Sequence, residues 1–398
     1  MTGTARIYFD NAATTPLDPR VRAAMHPYLD GAFGNPSSLH YDGRAARDAV
    51  EQARVSTAAL CGAKASEVVF TAGGTEADNL AILGVVRAFR GQSVHVITSS
   101  IEHPAVREVC RELAAEGVAV TFLRVGTSGI IEPDELAQAI RPKTRIVSVM
   151  AANNIVGTLQ PVRELARIAR GQGVLFHTDA VQAAGRIPLD IHRDGIDLLS
   201  ISGHKLYGPK GVGALIVREG VTLSPLVFGG GQEGGLRSGT ENVAAIVGLG
   251  EAARISIESR GEETARLVRL RERVIDGVLA QNLDAYLIGD RYRRLPGHVC
   301  LAFAGLEGES IKLLLALDEA GVSVSTGSAC STNKAGEPSY VLMAMGMDAF
   351  RSRGSLRITL GRFNTEEDVE RFLDLLPRVV GELSPITSRG RAKTGACA

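Results

Sequence analysis

The segment Ile201–Gly211, ISGHKLYGPKG, sets a histidine and a lysine directly after an apolar run and ahead of a glycine cluster. An ammonium at the mouth of a buried strand loses hydration, so Lys205 is either an exposed loop charge or a chemical tool. Other polar residues follow apolar runs in the same way. Thr71-Ala-Gly-Gly-Thr-Glu-Ala-Asp78 places Gly74 and Thr75 at the head of a helix-like stretch, where free backbone N–H groups and the positive dipole end suit a phosphate. Glu102-His103-Pro104 holds an imidazole in a stiff turn; Asn153 with Asn154, Asp179 with Gln182, and Ser202 with His204 and Lys205 follow three further runs. Each has a plain structural reading on its own, as a turn asparagine, a helix cap or a strand terminator. Five strands in succession delivering such residues to one edge is a stronger pattern, because ligands of an open parallel sheet sit beyond the carboxyl ends of its strands.

A phosphate cradle, an amine, a strand-end aspartate and an imidazole are the groups that pyridoxal phosphate requires. Asp179 would keep the pyridine nitrogen protonated. Lys205 would condense with the aldehyde, which relieves the cost of its charge, and Ser202 and His204 would help hold the phosphate. Gly208-Pro-Lys210-Gly211 lacks the spacing of a P-loop, and no Gly-x-Gly-x-x-Gly stands in a dinucleotide position. Phe228 to Thr240 is glycine-dense yet carries Arg237 and Thr240, as a site segment or a surface turn. In Ser355-Leu-Arg357-Ile-Thr-Leu360 the alternation is that of a strand, and Arg357 either clamps a substrate carboxylate through its planar fork or faces solvent.

Of five cysteines, Cys61, Cys110 and Cys300 lie in helix- or strand-like context and are assigned to packing, and Cys397 lies in the tail. Cys330 differs. Its surroundings, Ser325-Thr-Gly-Ser-Ala-Cys-Ser-Thr-Asn333, are small residues with little to bury, so its thiol is expected to be accessible. With a pKa near ~8.5 a free thiol is only a few per cent thiolate at neutral pH and needs a neighbouring donor or base to be a good nucleophile. A thiol beside a pyridoxal coenzyme indicates sulfur chemistry. No Cys-x-x-Cys pair or zinc-type Cys/His spacing occurs, so no metal is expected.

The elements that must position these residues are short apolar runs, Val68–Phe70, His95–Thr98, Val118–Leu123, Ile146–Met150, Val174–His177, Leu198–Ile201 and Gly213–Val217, alternating with helix-like stretches. This is the pattern of an α/β fold, a mostly parallel sheet flanked by helices. Pro161 and Gly171 bracket one helix. Leu267, Leu270, Val274 and Val278 give a helical period between Glu262 and Leu283, which marks passage into a smaller α+β part with helices near Ile311–Leu317 and Glu366–Leu376. The expected division is a large coenzyme-binding domain over 16–260, a small domain from 1–15 and 261–385, and a disordered tail over 386–398. The 45% hydrophobic and 22% charged residues suit a globular chain, and the 44 basic and 44 acidic residues cancel, which excludes a nucleic-acid surface as the main business. No run approaches the ~20 apolar residues of a membrane span and no signal-type stretch follows Met1, so a soluble, cytoplasmic protein is expected.

Jointly the motifs resemble the cysteine desulfurases of the IscS/NifS type, within the aminotransferase-like (fold type I) pyridoxal phosphate enzymes. The similarity runs over nearly the whole chain, through Tyr8-Phe-Asp-Asn-Ala-Ala-Thr-Thr-Pro16, Gly34-Asn-Pro-Ser-Ser-x-His40, Gly73-Gly-Thr-Glu-Ala-Asp-Asn79, Glu102-His103, His177-Thr-Asp-Ala-Val-Gln182, Ser202 to Gly211, Arg237-Ser-Gly-Thr240, Gly327-Ser-Ala-Cys330 and Arg357 to Arg362. The resemblance implies that Lys205 carries the Schiff base, His103 stacks on the ring and moves protons, Asp179 binds the pyridine nitrogen and Gln182 the ring oxygen. It implies phosphate contacts from Gly74, Thr75, Ser202 and His204, with Thr240 reaching in from the other subunit of a homodimer, and a substrate carboxylate oriented by Asn35, Asn154 and Arg357. The substrate would be L-cysteine; Cys330 attacks its sulfur, alanine leaves, and the persulfide is handed to an acceptor or scaffold protein for iron–sulfur cluster assembly or thiolation. One departure stands out: where the family usually has Asn-Asn-Glu-x-Gly, this chain has Asn153-Asn-Ile155-Val-Gly157, without that carboxylate. Two other functions compete. A selenocysteine lyase or related aminotransferase-like enzyme would release alanine without Cys330, and a sulfur-carrier subunit with weak activity would lack a yellow coenzyme band.

Overall fold

The computed structural model describes residues 6–327 and 337–394. Its strands in chain order are β1 (Ile7–Tyr8), β2 (Val68–Thr71), β3 (His95–Ser99), β4 (Ala119–Leu123), β5 (Thr144–Ser148), β6 (Leu175–Asp179), β7 (Leu198–Ser202), β8 (Gly213–Val217), β9 (Ala285–Leu287), β10 (His298–Phe303), β11 (Val322–Ser323), β12 (Ser325–Thr326) and β13 (Ser355–Thr359). The helices are α1 (Pro19–Met25), α2 (Tyr41–Leu60), α3 (Gly74–Ala88), α4 (Pro104–Ala115), α5 (Pro133–Ala139), α6 (Val162–Gly171), α7 (Val243–Leu279), α8 (Ser310–Glu319), α9 (Tyr340–Ala344) and α10 (Glu366–Thr394).

The seven apolar runs read from the sequence form one sheet in the order β2-β8-β7-β6-β5-β3-β4. The pairs from β7 through β6, β5 and β3 to β4 are parallel, and β8 runs antiparallel to both β2 and β7. Central strands such as β3 and β7 are buried at every residue, because helices cover both faces and every side chain must be desolvated. Edge strand β4 keeps Ala119 and Phe122 exposed. A four-stranded sheet, β12-β13-β10-β9, is antiparallel, and β1 pairs in parallel with β11. The α/β class and mostly parallel large sheet read from the sequence are those of the structure.

Two boundaries differ from the sequence reading. The helix placed from Glu262 begins at Val243, where the Asn242 side chain accepts a hydrogen bond from Ala245 N at 3.2 Å. Its first part carries no apolar period because small residues are buried around it: a Cβ on Gly250 would stand 2.5 Å from Ala53 Cα of the crossing helix α2. Ile246, Leu249 and Ala252 of α7 pack with the core under the large sheet, whereas Leu267, Leu270, Val274 and Val278 pack with Ile7, Phe9, Leu301 and Phe372. At the other end, α10 continues to Thr394, past the point where a disordered tail was expected. Three acids in its first turn favour initiation, and burial of Val369, Phe372, Leu376 and Val380 anchors it, after which each added turn is inexpensive. Among the described residues no helix is long and apolar enough to cross a membrane.

Candidate active site

Strand β6 ends on Asp179 and its neighbour β7 on Ser202, followed by one 3-10 turn, Gly203–Lys205. The parallel register therefore brings these residues to one edge, with His103 at the head of α4 and Gly74 and Thr75 at the head of α3. A cavity of about 410 Å³ opens there, and its walls include Gly74, Thr75, His103, Asn154, Asp179, Gln182, Ser202, His204, Lys205 and Arg357. Asn35 and Thr240 do not reach it. Both are exposed; Asn35 Oδ1 instead accepts from Ser37 N at 2.9 Å. Cys330 and Cys397 lie outside the described residues, and Cys61, Cys110 and Cys300 are buried free thiols with pKa values pushed up to about 12, about 12 and about 11, in each case chiefly by burial. Among the described residues no group of three His, Cys, Asp or Glu side chains is arranged to hold a metal.

The roof of the cavity comes from the chain's start. Lys205 Nζ donates to the carbonyls of Ala12 and Ala13, the second at 2.7 Å. Gln182 Nε2 donates to Ala12 O at 3.0 Å, His204 Nδ1 lies 3.1 Å from Thr14 Oγ1, and Thr15 N donates to His204 O at 3.0 Å. The segment 10–15 thus assembles the site, a role no residue type in it announces; its only signal in the sequence is membership of the Tyr8–Pro16 motif.

Burial sets the protonation states. The Asp179 carboxyl, buried at the strand end, is raised to about 6 by desolvation, against the hydrogen bond it accepts from Val181 N at 2.9 Å and the attraction of Lys205. His103 Nδ1 accepts from Ala105 N at 3.2 Å, which leaves the ring hydrogen of the neutral form on Nε2. Burial, followed by the charge of Lys205, lowers the His103 pKa to about 4, and the same two causes in the same order bring His204 to about 4. Both imidazoles are therefore uncharged at neutral pH. Next to His103, Glu102 is fully buried and raised to about 8 by desolvation; Ser99 Oγ lies 2.5 Å from its Oε1, and Met150 N donates to both of its oxygens at 3.1 Å. A protonated Glu102 is a site neighbour that its sequence context did not reveal.

At the opposite end, Gly73 (φ +155°, ψ −179°) occupies a region open essentially to glycine and caps α3 without a side chain, so first-turn amides are left for an anion. A Cβ on Gly74 would stand 2.6 Å from Val181 Cγ2, so the helix start approaches the wall only because residue 74 is glycine. Arg357 does not face solvent. It is 1% exposed, with Nη1 donating to Asn154 O at 3.0 Å and Nη2 to Asp10 Oδ1 at 2.9 Å. Ile155 is buried in an apolar cluster with Ile101, Val156, Cys300, Leu342 and Met345, so the position where the family usually carries a carboxylate is packed as core.

Residues 7–372 match the aminotransferase class-V family. The chain belongs to that family. Among aminotransferases of class V it is of the IscS/NifS type. It is 48% identical over 381 residues to a protein of Dictyoglomus turgidum named cysteine desulfurase IscS, covering 96% of each chain. Among solved structures, one titled a NifS-like protein superposes with a TM-score of 0.88 at 38% identity, covering 95% of this chain and 99% of the other. Another, titled SspA in complex with cysteine, gives a TM-score of 0.79 at 35% identity over 90% of this chain and all (100%) of the other. As in other class-V aminotransferases of fold type I, a large, mostly parallel sheet flanked by helices carries the site.

Proposed function

We infer that the protein is a pyridoxal 5′-phosphate-dependent cysteine desulfurase, converting L-cysteine to L-alanine and taking the sulfur onto Cys330. The observation that carries this reading is the meeting of Lys205, Asp179 and His103 in one cavity whose wall includes the start of α3, a helix end that no side chain caps. The relatives' names and the neighbour solved with cysteine support it. The donor set suits the coenzyme: Asp179, desolvated and lifted toward neutrality, is relieved by a cationic ring nitrogen, and the uncapped α3 amides suit a phosphate. When bound, pyridoxal phosphate supplies a protonated ring that withdraws electrons from the substrate's carbons.

In this reading Lys205 holds the coenzyme's aldehyde, Gly74, Thr75, Ser202 and His204 hold its phosphate, and Gln182 its ring oxygen. Thr240 completes the phosphate site of the partner protomer in a homodimer. Arg357 and Asn154 orient the substrate carboxylate, with Asn35 joining from its exposed loop. His103, neutral and fixed through Nδ1, exchanges a proton at Nε2. The Cys330 thiolate attacks the substrate sulfur: an S–S bond forms, the Cβ–S bond breaks, its electron pair stays with carbon and a proton completes alanine. The persulfide then serves a sulfur acceptor, in the cytoplasm. Residues 16–260 would form the coenzyme-binding domain, and 1–15 with 261–385 the smaller one. Incubation with L-cysteine followed by assay of alanine and of protein-bound sulfur tests the reading; Lys205→Ala is expected to bind coenzyme only non-covalently, and Cys330→Ala to lose alanine release. Alanine release at the original rate by Lys205→Ala would overturn the assignment.

A further inference from the structure

Besides Asp179 and Asp10, which pairs with Arg357, the cavity contains a third carboxyl group, for which the proposed chemistry has no use. Asp78, near the start of α3, lines the same cavity as Asp179 and is 1% exposed. Its Oδ1 has no hydrogen-bond partner among the described residues; His177 Nε2, at 3.6 Å, is too far for one. His177 stands two residues before Asp179 on β6, so both side chains leave the same face of the sheet. Its fully buried ring spans three strands, with Nδ1 2.8 Å from Ser148 Oγ of β5 and Nε2 3.0 Å from Ser200 Oγ of β7. Ser200, the partner of His177 Nε2, also faces Asp78 and acts to lower its pKa. A row Ser148–His177–Ser200–Asp78 therefore runs beneath the site.

Asp78 and Asp179, both buried against this cavity, do not both ionise, and their surroundings decide which keeps the proton. Asp179 receives the Val181 N–H and the attraction of Lys205. Asp78 has only Ser200 to draw it down; burial, then repulsion from Asp179, push it well above the usual carboxylate range. Of the other groups facing the pair, His103, His204 and His177 are held neutral by burial, and Arg357 is matched by Asp10 across the cavity. A neutral His177, donating through one nitrogen and accepting through the other, satisfies both serine contacts.

We propose that Asp78 is a positioning residue that keeps its proton at neutral pH, held by the Ser148–His177–Ser200 row, so that the negative charge of the buried pair is confined to Asp179. Two like groups thereby acquire unlike roles, an acid and an anion, from environment alone. This rests on the reading of Asp179 as the partner of the coenzyme's ring nitrogen.

The test uses the full-length chain as apoprotein and after reloading with pyridoxal phosphate, in wild-type, Asp78→Asn and Asp179→Asn forms. At pH 7 the infrared C=O band of protonated carboxyl groups should lose intensity in Asp78→Asn and keep it in Asp179→Asn, the contribution of Glu102 being common to all three. Nitrogen NMR should show His177 with a single ring proton. Asp78→Asn, isoelectric with the protonated acid, should bind pyridoxal phosphate within about 3-fold of wild type while Asp179→Asn loosens it about 100-fold or more. An unchanged band in Asp78→Asn, or a doubly protonated His177, overturns the proposal. Wild-type binding by Asp179→Asn would instead sink the reading of Asp179 and leave the band to report on Asp78. Should Asp78→Asn fail to fold, carboxyl-labelled aspartate in the wild type reads the same state, and the absence of any protonated aspartate at pH 7 overturns it.

Discussion

Arg357 and Asp10, 347 residues apart in the chain, are joined inside the cavity by a 2.9 Å contact between Nη2 and Oδ1, while the same guanidinium holds the Asn154 carbonyl at 3.0 Å. The fork geometry is what allows one buried cation to meet both partners and still face a ligand. Arg357→Lys, a point charge in place of a planar fork, is expected to raise KM for L-cysteine about 10-fold or more with a smaller effect on kcat. Steady-state kinetics check this, and an unchanged KM would remove Arg357 from carboxylate binding. Asp10→Asn strips a buried cation of its anion and should cost on the order of 2 kcal/mol in urea unfolding, below the value for a fully buried pair because Asp10 keeps contact with water.

Gly74→Ala drives a Cβ against Val181 Cγ2 at 2.6 Å, so the start of α3 must retreat from the cavity. The expected result is a coenzyme Kd raised about 10-fold, partly restored when Val181→Ala is added, since close backbone approach is what an anion-binding helix start requires. Equal affinity in wild type and variant, measured by fluorescence titration, would show that the contact is not needed.

Glu102 gives a stability prediction with a definite sign. Its pKa, raised to about 8 in the folded state by burial, means that the unfolded chain releases a proton which the folded chain retains. Stability is then fully present below about pH 4.5 and lost as pH rises toward 8. Glu102→Gln, whose amide can donate to Ser99 Oγ and accept from Met150 N, should match wild type near pH 4.5 and melt higher at pH 8. A melting difference that does not grow with pH would contradict a protonated Glu102.

Three histidines at and beneath the site act in the opposite direction. His103 and His204 are lowered to about 4 and His177 to about 3, all chiefly by burial, so the unfolded chain takes up protons below pH 6.5 that the folded chain refuses. Their contribution is present above 6.5 and lost as pH falls toward 4, with a slope of up to about 1.4 kcal/mol per pH unit for each group. Apoprotein unfolding at pH 7, 6 and 5 should show this loss, and His103→Gln should reduce its slope; an unchanged slope would place His103 in water.

At position 155 the chain carries isoleucine inside an apolar cluster. Ile155→Glu buries a carboxyl among Ile101, Leu342 and Met345, where its charged form finds no water, so the variant should lose about 3 kcal/mol or more at pH 8 and less at pH 5. A variant as stable as wild type at pH 8 would mean that a cationic partner is within reach of the new carboxylate.

The large sheet was legible because strands buried on both faces read as unbroken apolar runs, and the cavity was legible because a parallel sheet delivers the residues after its strands to one edge. Lys205, Asp179 and His103 could be found from those two rules. The pairing of Arg357 with Asp10 could not, since nothing local in either segment specifies a partner at the far end of the chain. Nor could the states of Asp78 and Glu102, which depend on desolvation by elements that come together only in the folded molecule. Asn35 and Thr240 entered by resemblance alone, and both stand outside the cavity of their own chain. The first half of α7 carries no apolar period because small residues, Gly248 and Gly250 among them, are buried at its close crossings with other elements.

Helix α7 spans 37 residues, about 55 Å at the usual rise. One end is clamped under the large sheet and the other beside Phe9 and Phe372, while Ile257, Glu258, Gly261 and Glu262 between them are exposed. Such a shared axle ties the melting of the two cores together, because a bare half-helix in water is barely stable by itself. A protease nick in that exposed span would sever the axle, and each hydrophobic cluster would then have to survive alone.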